Sequence, residues 1–254
     1  MSGIVTAALI IIGNEILSGR TRDDNLPYVA RRCTEIGVRL AEVRVVADDA
    51  DAIADAVNAC RAAHDYVFTT GGIGPTHDDI TVAAVARAFG VEVVRDAEAV
   101  RRLTAYYEGG DLELNEARLK MADAPAGAAI VDNPVSGAPG FRIENVYVMA
   151  GVPEIMQAMF EGAVREIKGG DRLRARTVAV DLPEGTIAAT LAAVQKRYAD
   201  VEIGSYPYYR SRAFGVKVVL RGVDEARLDA AAAALIEALA ELGGNPALEE
   251  EEGA

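Results

Sequence analysis

The segment TTGGIGPTHDD, Thr69 to Asp79, packs three glycines, a proline, a histidine and two adjacent carboxylates into one turn between an apolar run and a helix-like stretch. Gly71, Gly72 and Gly74 let the main chain approach a ligand closely, and free amides at the following helix start can hold phosphate oxygens. Asp78 and Asp79 repel a phosphate unless a divalent cation bridges them. An earlier turn has the same mixture: Gly13, Asn14 and Glu15 run to Gly19, with Asp23, Asp24 and Asn25 just beyond. Together the two turns suit a phosphorylated ligand bound with a divalent metal ion, and Glu15, Asp78 and Asp79 are its candidate ligands. A plainer reading exists for each group. Asp79 is also placed to cap a helix starting near Ile80, and His77 fits phosphate polarisation, metal ligation or an ordinary solvated side chain.

Two more stretches belong to the same search. Met149 to Glu154, with Gly151 and Pro153, runs from a strand into a helix; its amides either complete a pocket or simply make the connection. Asn133 to Gly140, including Gly137, is rich in glycine and proline and either closes over a ligand or joins two elements.

The elements that must position these turns follow from periodicity. Thr6 to Ile12 is a continuous apolar, β-branched run, the pattern of a strand covered on both faces. Asp24 to Ile36 reads as a helix closed by Gly37, Val38 to Ala47 as a strand, Asp49 to Ala63 as a helix with Ile53, Ala56, Val57 and Cys60 on one face, and Tyr66 to Thr70 as a third buried strand. A helix over Thr81 to Phe89 ends at Gly90; the strand-like Val91 to Val94 and helices near Ala97 to Tyr107 and Asn115 to Met121 follow. Phe141 to Ile143 and Val146 to Met149 form a hairpin around Glu144-Asn145, and Pro153 opens a helix to Ile167. This alternation predicts a three-layer, doubly wound α/β domain with a mostly parallel sheet over residues 1–170. In such a sheet the ligand crevice lies beyond the carboxyl ends of the strands, so the turns after Ile12 and Thr70 open onto one edge. Residues 175–243 read as a small α+β unit of βαββα order, with strands over Arg176 to Leu182, Val201 to Tyr206 and Phe214 to Leu220, and helices over Glu184 to Tyr198 and Asp224 to Leu242. Residues 244–254 read as an acidic, solvated tail.

Composition excludes several classes. At 254 residues, 51% hydrophobic and 26% charged, the chain buries a sizeable core. Its net charge is −13, Glu249 to Glu252 supply four of those charges, and no basic tract suits nucleic-acid phosphates. The longest apolar start, Ile4 to Ile12, is half of the roughly 18 residues a spanning helix needs and lacks a basic leader, so a cytoplasmic protein is expected. Cys33 and Cys60 lie in helix-like segments without paired spacing, as reduced core thiols. The small unit has two sheet faces and one markedly apolar helix, which predicts a homo-oligomer, a dimer first.

GNEILSG, TTGGIGPTHDDIT, NPVSGAPGF and GVPEIM, in this order, resemble the molybdopterin-binding domain of the MoaB/Mog type, in the version found at the front of the competence/damage-inducible protein CinA. The resemblance covers Thr6 to Ile167, and the small unit, with Gly204 to Pro207, resembles the segment that follows in CinA-like proteins. It implies a pocket for a small-molecule nucleotide or a pterin such as molybdopterin. Gly13, Asn14, Thr70, Gly71, Gly72, Ile73, Gly74, Thr76, Gly137, Gly151 and Pro153 would be its binding residues; Asp79, Asp78 and Glu15 would be catalytic and hold the metal. Two activities are implied. Mog-type relatives adenylylate molybdopterin, with the aspartate matched by Asp79 essential; CinA-type relatives cleave pyrophosphate bonds in ADP-ribose-like or FAD-like substrates with a divalent metal. The Asp78-Asp79 pair follows the CinA-like pattern, since the Mog pattern has a basic residue at Asp78. Asn14 departs from the family's usual aspartate, and His77 stands where CinA-like chains often have proline. The deamidase domain of CinA and the nucleotidyl-transfer domain of FAD-synthase relatives are both expected to be missing from these 254 residues.

Overall fold

A computed structural model describes residues 3–108, 112–210 and 213–249. The chain forms two compact units that divide between Gly170 and Asp171. In the first, the elements in order are β1 (Val5–Ile12), α1 (Asn14–Leu17), α2 (Asn25–Glu35), β2 (Val38–Val46), α3 (Ala50–Ala63), β3 (Tyr66–Thr70), α4 (Thr81–Phe89), β4 (Val93–Arg95), α5 (Ala97–Glu108), α6 (Glu116–Leu119), a 3-10 turn (Lys120–Ala122), β5 (Asp123–Pro125), β6 (Ala129–Val131), β7 (Gly140–Ile143), β8 (Val146–Met149) and α7 (Pro153–Val164).

Six strands make the main sheet in the order β2-β1-β3-β8-β7-β6. β1 is parallel to β2 and β3, β3 is parallel to β8, and β7 alone runs opposite to the rest, antiparallel to both β8 and β6. β1 has apolar side chains on both faces: Ala8, Ile10 and Ile12 meet α3 and α4, and Ala7, Leu9 and Ile11 meet α2 and α7, all at most 3% exposed. Each fully buried Ile or Leu contributes about 1.5–3 kcal/mol, so the two clusters hold the three layers together. The chain leaves β1 to one side for β2 and returns on the other side for β3, so the strand order reverses between β1 and β3. There the turns after these strands diverge and leave a crevice.

Several elements differ from the reading of the sequence. Val91 to Val94 does not join the main sheet: β4 pairs with β5 in a separate ribbon and is exposed throughout. β5 and β6, three residues each, carry too short a pattern to be read. The helix over Asn115 to Met121 shrinks to α6 and the 3-10 turn, with Asn115 as the cap. GNEILSG is one helical turn, α1, rather than a loop.

The second unit contains β9 (Arg174–Val180), α8 (Glu184–Arg197), β10 (Glu202–Arg210), β11 (Ala213–Gly222), α9 (Glu225–Glu241) and β12 (Ala247–Glu249), with sheet order β10-β11-β9-β12, antiparallel throughout. Both helices pack on one face, where Ile187, Leu228 and Leu235 meet Val178, Val216 and Val218. The order is βαββαβ. The tail assignment therefore fails at residues 247–249, which pair with β9 and place Glu249 2.7 Å from Lys217 Nζ; Glu250 to Ala254 lie outside the described residues. Among the described residues, no helix is long and apolar enough to cross a membrane.

Candidate functional site

The turn after β1 is fixed from β2. The Gly13 amide donates to the Val46 carbonyl at 3.1 Å, and the Asn14 amide donates to Asp48 Oδ2 at 2.8 Å. α1 thereby leaves the sheet edge with Glu15 beside the crevice.

The turn after β3 is fixed by its neighbours on both sides. The Gly71 amide donates to the Met149 carbonyl at 3.1 Å, and the Thr81 hydroxyl donates to the Gly71 carbonyl at 3.0 Å. Gly71 has φ 105°, and an added Cβ would collide with the Ile12 carbonyl oxygen, so only glycine fits there. The turn closes on itself at Asp79. Its carboxylate accepts the Thr76 amide at 2.8 Å and the Thr76 hydroxyl as well. Lys120 Nζ donates from outside to the carbonyls of Thr76, at 2.5 Å, and Asp79, at 3.0 Å.

Two buried amide side chains hold the remaining walls. Asn25 Nδ2 donates to the Gly151 carbonyl at 2.8 Å. Asn133 Oδ1 accepts the amides of Val135 and Ser136, and its Nδ2 donates to the Ala138 carbonyl at 2.7 Å, which fixes the glycine/proline loop.

These parts surround a cleft of about 600 Å³. Glu15, Asp78 and Asp79 line it together, as do Gly13, Gly71, Gly72, Ile73, Gly74, Gly151 and Pro153. Asp48 is a fourth carboxylate in the lining, and Ser136 and Asn133 bring the glycine/proline loop to the same space. Among the described residues, no Lys, Arg or His lines it. Ile73, Met121, Val152 and Ile155 add apolar side chains to the same lining. Asp78 is held below the ordinary carboxylate range, first by the Thr76 hydroxyl and then by its own backbone amide.

Four of the expected binding residues stand outside the lining. Asn14 is exposed and acts through its backbone amide on Asp48. Thr70 is buried behind the turn, its hydroxyl without a partner. Thr76 braces Asp79 from the exposed side of the turn. Gly137, at φ 69°, packs its Cα against Tyr106. His77 is exposed and also outside the lining, while Asp23 accepts the Leu26 amide at 2.7 Å and Asp24 pairs with Arg22. Asp48 was the missed carboxylate. It lies two residues past the end of β2, whose carboxyl end opens on the same edge, and that position is its signal.

Glu15, Asp78 and Asp79 do not form a ready-made cation cage: among the described residues, no three His, Cys, Asp or Glu groups lie close enough together to hold a metal ion. Hard oxygen donors in ones and twos still match magnesium-like ions, which take one or two carboxylates and complete their shell with water and substrate phosphate.

Comparison with known proteins agrees with this architecture. Residues 8–169 match the family described as "Probable molybdopterin binding domain", and residues 172–244 match "FAD synthase, middle domain". A protein of Archaeoglobus fulgidus is 37% identical over 199 residues, covering 78% of this chain and 84% of its own. A "CinA-like protein" of Desulfosudis oleivorans is 37% identical over 73% of this chain, and a "Probable FAD synthase" of Caenorhabditis briggsae is 32% identical over 92% of it. The matches span 48% and 49% of those two relatives, about half their length. The crystal structure of CinA, a protein of unknown function from Thermoplasma acidophilum, superimposes with a TM-score of 0.59 at 33% identity, covering 64% of this chain and 98% of that one. The chain belongs to the molybdopterin-binding-domain family, in its CinA-like form, with the FAD synthase middle domain behind it.

Proposed function

We propose that the cleft binds a nucleotide diphosphate of the ADP-ribose or FAD kind and hydrolyses its pyrophosphate bond with a divalent cation. The observation that supports this most is the composition of one cleft: close-approach glycine turns and four carboxylates, with no lining cation among the described residues. A bare diphosphate would be repelled there, whereas its metal complex would not. The glycine turns at Gly71, Gly72 and Gly74 would take the phosphates, and Ile73, Met121 and Ile155 a planar ring. Glu15, Asp78 and Asp79 would hold the cation and orient a water molecule. That water's oxygen forms a bond to one phosphorus as the bridging P–O bond breaks, giving two phosphomonoesters, with the released protons passing to solvent. The cation, when bound, would neutralise the charge that develops on the phosphate oxygens.

The test is turnover of ADP-ribose and FAD with magnesium, manganese or cobalt, with a chelator control. No turnover with any ion, or undiminished turnover in Asp79→Ala, removes the assignment. A second reading is retention of molybdopterin or a nucleotide without hydrolysis, with or without ATP-dependent adenylylation. It is favoured by Asn14 in place of an aspartate and by the lack of a three-carboxylate cluster among the described residues. Calorimetry with affinity but no turnover, together with activity gained in Asn14→Asp, would select it.

A further inference from the structure

We infer that Lys120 is the positioning residue of the carboxylate turn: its ammonium, reaching back from the 3-10 turn more than forty residues on, clamps Thr76 and Asp79 so that Asp78 and Asp79 stay presented to the cleft. What the clamp is for rests on the function proposed above; that it clamps does not.

The glycine end of the turn is anchored to Met149 and Thr81, and the reason lies in what holds its far end, Thr76 to Asp79. Its own backbone bond, from the Asp79 amide to the Thr76 carbonyl, is long at 3.4 Å. The same carbonyl receives Lys120 Nζ at 2.5 Å, and a charged donor gives the stronger bond. Asp79 ties the turn from inside through the Thr76 amide, while Lys120 ties the same two residues from outside through their carbonyls. An ammonium has three donors, and two are committed here. Lys120 is half-buried, and its ammonium bonds two carbonyls of the turn rather than pairing at close range with a carboxylate of the described residues. The next residue, Met121, lines the cleft. One short segment thus braces the carboxylate turn and supplies an apolar residue of the cleft lining.

The experiment compares full-length protein with Lys120→Met and Lys120→Arg. It measures hydrogen exchange over residues 71–81, the melting temperature, and kcat and KM for ADP-ribose with a divalent salt. In Lys120→Met, faster exchange confined to this turn, an almost unchanged melting temperature and a kcat lowered by ~10²-fold, the scale that misplacement of reacting groups produces, are expected. KM should move far less, and Lys120→Arg should recover most of the exchange protection and rate. Wild-type exchange at the turn in Lys120→Met overturns the inference, and so does an undiminished kcat. If Lys120→Met does not fold, Lys120→Gln takes its place, and wild-type exchange in that variant is equally fatal. If the wild-type protein turns over no nucleotide diphosphate, the proposed function fails; the exchange result still decides the clamp, faster exchange supporting it and unchanged exchange refuting it.

Discussion

At the residue scale, the turn after β3 joins shape and charge in a single side chain. Asp79 closes the turn on Thr76 and also lines the cleft, so its removal confounds two effects. Asp79→Asn separates them, because the amide oxygen still accepts from Thr76 while the charge is lost. We predict that Asp79→Asn keeps the wild-type stability to within about 1 kcal/mol and loses ~10²-fold or more in turnover; equal losses in stability and rate would contradict it. Much of this was legible in the sequence, since a run of glycines followed by paired acids has few plain explanations. The roles of Thr76 and Asn14 were not, because each acts through a bond to a particular partner and not through its presence in the cleft.

At the element scale, two junctions carry the site. Gly71, at φ 105° beneath the Ile12 carbonyl, lets β3 end beside β1; Gly71→Ala is predicted to cost roughly 1–3 kcal/mol and to abolish ligand binding, readable by thermal unfolding and calorimetry. The second junction joins α2 to α7, where Arg32 makes a bidentate pair with Glu161, at 2.6 and 2.7 Å, and Tyr28 donates to the same carboxylate at 2.6 Å. Arg32 is the first cause holding Glu161 below the ordinary carboxylate range. A carboxylate lowered in this way stabilises the fold above its unfolded value, near 4.3, and that stability is lost as pH falls through the folded value. Glu161→Gln should therefore cost about 1 kcal/mol or less at pH 7, a difference that vanishes in acid; a difference that persists at pH 2 would refute this. Burial, then Glu161, pushes Tyr28 up to about 12, so its contribution is present below pH 10 and lost as pH rises towards that value. α2, α3 and β1 are legible in the sequence because their periods are uninterrupted. β2 is legible too, as Val38 to Ala47, although one extra residue opposite Ala7 and Ala8 shifts its alternation: Leu40 before the bulge and Val43 and Val45 after it lie on the same side.

At the scale of the whole molecule, both helices of the second unit lie on one face of its sheet, and β12 lengthens that sheet instead of covering it. Among the described residues, no helix of that unit covers the opposite face, and Tyr206 is 49% exposed. We predict a homo-oligomer, a dimer first, in which a second copy meets this unit; light scattering that returns a monomer at every concentration would refute it. The net charge of −13 and the uncompensated acids of the cleft predict that nucleotide affinity depends on divalent salt and disappears with a chelator.

By itself the sequence determined the three-layer class, the strands that end at the crevice, and the two turns whose composition points to phosphate chemistry. These are local properties: a buried parallel strand shows in a run of β-branched residues, and a close-approach turn in its glycines. Only the tertiary structure decided that Asp48 joins Glu15, Asp78 and Asp79, that Asn14 and Gly137 stand back from the cleft, and that Lys120 holds the turn from more than forty residues away. Those outcomes depend on which strand ends lie side by side and on the reach of single side chains across the gap, and no periodicity along the chain encodes either.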